Sequence, residues 1–359
     1  MVERRTRGSR RRAEFTVSGR LEVRIEADDV GKRVSVRSLT RAGPASETFT
    51  DTVGVLTSWT AGVLWITRRD GRQVSLAEGD LVAGKVVPRT PAGRRGLPAA
   101  GTAELARVAA RGWPPVEQED LGGWRLRAAD GFTRRANSVL PLGDPGVPTS
   151  QALAYVQDWY EARGLRPYVQ TSTGGDGDGE RLGAELTAHG WDIDVSAELW
   201  IAGLARVADT AAEQSEAASG KGPADPGEVQ LSRTLPPGWL TRYQRVTTRG
   251  PAMTAVLEGG PSVWLASLPG AGGEAPAAIG RMVVDGRWAG FNAVETDPAR
   301  RRRGLATTIM SALSRQALEE GASAAYLQVE TDNEGARQMY ERLGFARHHS
   351  YHHWRPGPR

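Results

Sequence analysis

The chain has 359 residues, of which 39% are hydrophobic and 25% charged; its net charge is +4 and it has no cysteine. That length allows two or three domains with real cores, and the composition is that of an ordinary globular protein. The missing cysteines exclude disulfides, thiolate metal sites and a cysteine acyl-enzyme. No apolar run approaches the roughly eighteen residues a membrane helix needs, and the first residues lack a signal peptide's apolar stretch, so a cytoplasmic protein without membrane contact is expected.

Residues 1–12 carry six arginines (Arg4, Arg5, Arg7, Arg10, Arg11 and Arg12) against Glu3, a local charge of +5 that leaves the rest of the chain near −1. This reads as a disordered basic arm and a candidate for weak nucleic-acid contact over Arg4–Arg12. It is otherwise a solubilising tail, since no aromatic residue interleaves the arginines for base stacking. Residues 13–90 alternate apolar and polar in short runs at Arg20–Ile25, Lys32–Ser38, Thr50–Ser58, Val63–Arg68, Gln73–Ser75 and Leu81–Val87. Turn residues separate the runs, among them Asp70-Gly71, so a small all-β barrel is expected. A Pro/Gly linker follows at 91–102.

From 103 to 205 the pattern predicts a helix at 103–111, then a hairpin of Trp124–Arg127 and Phe132–Leu140 turning at Asp130-Gly131. A helix at 150–163, a strand at Arg166–Thr171, a helix at 181–189 and a strand at 191–201 complete the section. Residues 206–228, rich in Ala, Glu, Ser, Gly and Pro, read as a disordered connection. From 229 to 359 the order is a strand, a helix around Trp239–Val246, a strand at Val263–Leu268, and a hairpin of Ala277–Val284 and Trp288–Thr296 through Asp285-Gly286.

At Asp297-Pro298 the second hairpin strand must break, because proline has no N–H to donate. Arg300, Arg301, Arg302, Arg303 and Gly304 follow, and Leu305, Ile309, Ala312 and Leu313 then recur at helical spacing to about 320. A helix start presents unpaired N–H groups and the positive end of its dipole, glycine allows close approach, and arginines offer forked cationic donors. Together these make a seat for a pyrophosphate; the bland alternative is a solvated basic cluster. A strand at Ala325–Glu330 leads into a short helix over Asn333–Phe345. Asp332 or Asn333 is placed to cap its start, and Ala336, Met339, Tyr340 and Leu343 share one face.

Strand, basic loop and helix with the order Arg301-x-x-Gly304-x-Ala306 resemble the acetyl-CoA pyrophosphate loop of the GCN5-related N-acetyltransferase (GNAT) superfamily. The run Asn333-x-x-Ala336-x-x-Met339-Tyr340-x-x-Leu343-Gly344-Phe345 resembles that family's second signature, with Gly335 a mild departure. The resemblance implies an α/β (α+β) GNAT fold for 229–359. It makes 103–205 look like a degenerate GNAT-like repeat in a tandem arrangement, and 13–90 like the SH3-like barrel fused ahead of some such enzymes, with docking or homodimerisation as its role, or else a plain stabilising module. In the repeat, Leu142-Gly143-Asp144-Pro145-Gly146 replaces the pyrophosphate loop, and Asp144 would repel a pyrophosphate, so no coenzyme is expected there. The polar segment Gly131–Ser138 is a candidate lining of the acceptor cleft or else a half-exposed strand.

The implied activity is an acetyl-CoA-dependent N-acetyltransferase that passes the acetyl group directly to an amine acceptor in a ternary complex, with acetyl-CoA as cosubstrate and no metal. The coenzyme would be held by the backbones of Val294 and Thr296, by the loop Arg301, Arg302, Arg303, Gly304, Leu305 and Ala306, and by Asn333, which is otherwise only a cap. Tyr340 is the expected general acid to the leaving thiolate, a role in which a phenol near pKa 10 needs local positive potential; otherwise it is a core tyrosine. Glu295 and Glu330, at the ends of the two strands that should part around the thioester, are alternative bases or else structural carboxylates. Four of the five histidines fall within 348–353; their alternation along a strand does not gather metal ligands, and one or two are placed to touch the acceptor. The alternative class is an acetyl-CoA-binding adaptor that contacts nucleic acid or a protein through the arm and barrel.

Overall fold

The computed structural model describes residues 23–41, 47–87, 96–175, 177–219, 228–244, 250–270 and 275–358. Residues 1–22, which include the basic arm at 1–12 and the start of the Arg20–Ile25 run, lie outside them, as do residues 91–95 of the Pro/Gly linker. At the N-terminus, β1 (Val23–Arg24), β2 (Arg33–Arg41), β3 (Glu47–Thr60), β4 (Val63–Thr67), β5 (Gln73–Ala77) and β6 (Leu81–Val86) form one sheet in the order β1-β6-β2-β3-β4-β5. Val34, Val36, Leu56, Leu64 and Ile66 supply its core. The strands stand where alternation predicts them, but the barrel does not close among the described residues, because β1 and β5 remain the two outer strands. The Asp70-Gly71 hairpin tip instead docks on the rest of the molecule: Arg69 donates to His348 O at 2.6 Å, and Thr173 Oγ1 donates to Arg69 O at 2.6 Å.

The middle section comprises α1 (Thr102–Arg111), β7 (Glu117–Leu121), β8 (Trp124–Ala128), β9 (Leu140–Pro141), α2 (Thr149–Glu161), β10 (Val169–Thr173), α3 (Asp178–Ala188) and β11 (Trp191–Gly203). The expected hairpin is corrected here. β8 pairs with β7 and touches only the short β9, while 134–136 is a 3₁₀ turn rather than strand. Asn137 explains the change, since its Oδ1 accepts the amides of Ala129 and Gly131 and its Nδ2 donates to Thr133 O. A side chain that satisfies loop backbone in this way competes with a sheet ladder.

A second correction concerns residues 206–228. Leu204–Ser219 is a helix, α4, with Leu204, Val207 and Ala211 fully buried. Alanine-rich composition suits a helix as well as a linker, and here the buried face decides. Next come β12 (Gln230–Ser232), α5 (Trp239–Arg242), α6 (Pro251–Glu258), β13 (Ser262–Leu268), β14 (Ala278–Asp285), β15 (Trp288–Thr296), α7 (Leu305–Glu319), β16 (Ala324–Glu330), α8 (Glu334–Arg342) and β17 (Ala346–Pro356). α6 begins with Pro251 in its first turn, where proline costs no hydrogen bond.

The two halves share one sheet of order β10-β17-β11-β16-β15-β14-β13-β12. β11, from the first half, lies between β16 and β17; β17, the last strand of the second half, lies between β10 and β11. Each half therefore lends a strand to the other, and the cores record the exchange. Trp354 of β17 packs with Trp124, Val156 and Trp191, whereas Trp200 and Ala202 of β11 pack with Phe291, Ile309 and Leu327. A buried carboxylate on β11, Glu198, is held by Arg347 at 2.9 Å and by Arg337 at 3.4 Å, both from the second half.

Candidate active site

β15 and β16 pair in parallel only over Trp288–Phe291 and Ala324–Leu327. Beyond Phe291 and Leu327 they part, because β15 leaves the common plane at a bulge between its pairings with Ile279 and Arg281, where Ala293 takes φ = 51°. Bulges increase local twist and redirect a strand. The opening is a cleft of about 640 Å³. Phe291–Glu295 form one wall, and Gln328–Glu330 with Asn333, Ala336 and Tyr340 form the other. Gly131–Arg135, Leu165, Arg166 and Tyr168 reach in from the first half, and Tyr351 and His353 of β17 line the cleft as well. The polar segment marked in the sequence thus contributes to the cleft, as loop rather than strand.

Of the residues singled out in the sequence, Val294, Glu295, Glu330, Asn333 and Tyr340 meet in this cleft. Tyr340 is 9% exposed and its ring packs edge-on against Phe345. Asn333 is the N-cap of α8, its Oδ1 accepting from Ala336 N at 3.2 Å. Glu295 Oε2 accepts from the backbone N–H of Gln244 at 2.8 Å. Thr296 pairs with Ala278 of β14 and is not among the lining residues.

Arg301, Arg302, Arg303, Gly304, Leu305 and Ala306 also lie outside the lining, beyond the turn that ends β15. That turn is fixed by Asp297, which accepts from Ala299 N at 3.0 Å and from Arg242 at 3.1 Å. Gly304 is the N-cap of α7 in a left-handed conformation, φ = 78°, which favours glycine. The first helical hydrogen bond runs from Thr308 N to Gly304 O, so the amides of the first turn face the loop. The three arginines are exposed around it. Leu305, Ile309, Met310 and Leu313 bury the opposite side of α7 in the core and hold that helix mouth in place.

Sequence reasoning did not single out Arg135. Its Nη1 donates to Asn292 Oδ1 at 3.0 Å and to Gln328 Oε1 at 2.5 Å, bridging the first residues of β15 and β16 that do not pair with each other. Its guanidinium lies 4.6 Å from the Trp113 ring centroid. The signal available was only the cluster of cationic and polar residues at 131–138. Among the histidines, His353 lines the cleft, while His352 is bonded to Ser196 and Thr173 and His348 to Ala100 O. Burial, followed by the charges of Arg127, Arg134 and Arg135, pushes His353 down to about 3, so it is neutral near pH 7.

A family model described as the Probable histone acetyltransferase Rv0428c C-terminal region matches residues 100–354. The chain belongs to that family, within the GNAT superfamily. This GNAT chain is 34% identical over 140 residues to the Probable histone acetyltransferase Rv0428c of Mycobacterium tuberculosis; the overlap is 39% of the chain and 43% of that relative, less than half its length. Against the Uncharacterized N-acetyltransferase YobR of Bacillus subtilis it is 23% identical over 257 residues, 70% of the chain and 97% of the relative. A GCN5-related N-acetyltransferase from Kribbella flavida has a similar structure, with a TM-score of 0.50 and 18% identity over 72% of this chain and 98% of that one, a likeness of fold.

Proposed function

We propose that this GNAT protein transfers an acetyl group from acetyl-CoA directly to an amine. One observation carries the reading: β15 and β16 open a cleft that contains Tyr340, and the same β15 leads through Asp297 to the left-handed Gly304 at the mouth of α7. Anion seat and cleft are therefore two ends of one strand. Acetyl-CoA fits them in kind. The α7 amides and Arg301–Arg303 suit a pyrophosphate, and the edge of β15 that faces away from β14 offers backbone groups to a pantetheine amide.

When bound, the thioester supplies the activated acetyl group. The amine nitrogen forms a C–N bond to the carbonyl carbon, and the C–S bond breaks. Glu295 or Glu330 accepts the proton released by the amine, directly or through a water, and the Tyr340 hydroxyl donates to the sulfur and is reprotonated from solvent. Backbone N–H groups near the Ala293 bulge would stabilise the oxyanion. The N-terminal sheet, wedged by its 69–71 tip against β10 and β17, acts here as a brace for the shared sheet. Release of free thiol from acetyl-CoA across a panel of amines tests the proposal: saturable, amine-dependent release is expected, and saturable acetyl-CoA binding without acetylation of any amine would favour an adaptor.

A further inference from the structure

The cleft's charge points to a particular kind of acceptor. Arg135 lines the cleft; two buried guanidinium groups outside its lining, Arg281 and Arg127, feel its charge, and all three are held by neutral partners. Arg281, fully buried, donates to the carbonyls of Leu257, Gly112, Val256 and Gly259. Arg127, also buried, donates to Ser138 O, Ser138 Oγ and Gln170 Oε1. Arg135 has Asn292, Gln328 and the Trp113 ring. Among the described residues no carboxylate lies within ion-pair distance of any of the three. Charge gathered out of water without a counter-ion is costly, and an anion in the cleft would offset it. The positive charges already burden one another: burial and then its charged neighbours, Arg135 among them, push Arg127 down to about 10 and Arg281 to about 9.

Geometry says where the anion would sit. Arg135 spends only Nη1 on its two amide partners, so its Nε–Nη2 edge has no hydrogen-bond partner among the described residues. That same edge grips a carboxylate with both nitrogens twice elsewhere in this chain. Arg37 holds Asp51 at 2.7 and 2.7 Å, and Arg125 holds Asp120 at 2.8 and 3.0 Å. His353, 3% exposed, also lines the cleft, and its buried Nε2 has no hydrogen-bond partner among the described residues. The carboxylates Glu295 and Glu330 stand on the walls contributed by the second half. The cleft thus carries guanidinium groups where the first half builds it and carboxylates where the second half does.

We propose, resting on the transferase reading above, that the acceptor is a zwitterionic amine of the amino-acid type: its carboxylate is bound by the Nε–Nη2 edge of Arg135 with His353 Nε2 beside it, and its amine is turned toward Glu295 and Glu330. Both halves are then needed for acceptor choice, with Arg135 as the specificity-determining residue.

The test compares amino acids with their own carboxamides as acceptors for the full chain at saturating acetyl-CoA, read by free-thiol release. A charge-assisted, two-pronged contact predicts a kcat/KM ratio of about 10–100 in favour of the acid, although the amide's amine is the less often protonated of the two. Arg135→Gln should bring that ratio toward one through the KM of the acid, with the KM of acetyl-CoA unmoved, and Arg135→Lys should restore part of it. Wild-type protein that acetylates carboxamides or a basic lysine peptide as well as amino acids would overturn the proposal. So would Arg135→Gln lowering kcat equally for acid and amide, which would put the guanidinium at the reacting carbonyl. Absence of saturable acetyl-CoA binding would overturn the transferase reading itself, a result distinct from either of these.

Discussion

Trp354, on the last strand, donates its indole N–H to Thr171 Oγ1 at 2.9 Å inside the core of the opposite half. With β11 placed reciprocally between β16 and β17, neither half has a complete sheet of its own. Residues 103–358 should therefore unfold as one unit. Trp354→Ala is expected to cost about 3–5 kcal/mol and to lower a single shared transition. Denaturant titration followed by circular dichroism checks this; two transitions, only one of them moved, would count against it.

Tyr340→Phe removes a hydroxyl and leaves the ring against Phe345. If the hydroxyl protonates the leaving thiolate, kcat should fall about 10²-fold or more while the KM of acetyl-CoA stays near its original value. Steady-state kinetics decide the matter. A kcat within threefold of wild type would return Tyr340 to a packing role.

Gly304 sits at φ = 78°, where a side chain costs about 1–2 kcal/mol. Gly304→Ala should lower stability by about that amount and reshape the helix mouth, raising the KM of acetyl-CoA about tenfold, the equivalent of 1.4 kcal/mol. Turnover at saturating acetyl-CoA should be affected much less. An unchanged KM would mean that the α7 mouth does not hold the cosubstrate.

The histidines of β17 predict a pH dependence of stability. Burial, the largest cause for each, holds His349 at about 3, His352 at about 4 and His353 at about 3. In the unfolded chain each titrates near its ordinary value of about 6.5. Below that pH the unfolded state binds more protons than the folded one, so stability is lost as pH falls from about 6.5 toward 4 and is level above 7. Each group contributes up to about 1.4 kcal/mol per pH unit in that window. Urea midpoints at pH 5.5 and 7.5 measure it; equal midpoints would contradict the buried, neutral state of these rings.

What was legible in the sequence was local. Arg301–Ala306 and Asn333–Phe345 are contiguous, and Gly304 and the Asn333 cap are found in the conformations their residue types favour. The strand exchange was not legible, because alternation along β11 is the same whichever strands flank it. β7, Glu117–Leu121, is not legible because Leu121 is its one apolar residue and no alternation shows. α4 was hidden by a composition shared with linkers, and its identity came from Leu204, Val207 and Ala211 being buried at a distance in sequence. Arg135 could be placed at the parting of β15 and β16 only once Asn137 had turned the 131–138 segment into a loop.

The central claim is that the second half's cleft and the α7 mouth, rather than the equivalent junction of the first half, receive acetyl-CoA. Hydrogen–deuterium exchange with and without acetyl-CoA tests it residue by residue. Slowed exchange is predicted at the amides of 292–296 and 304–308, with none at 142–150, where Asp144 stands at the corresponding strand–helix junction. Protection of 142–150 with 304–308 unchanged would contradict the account.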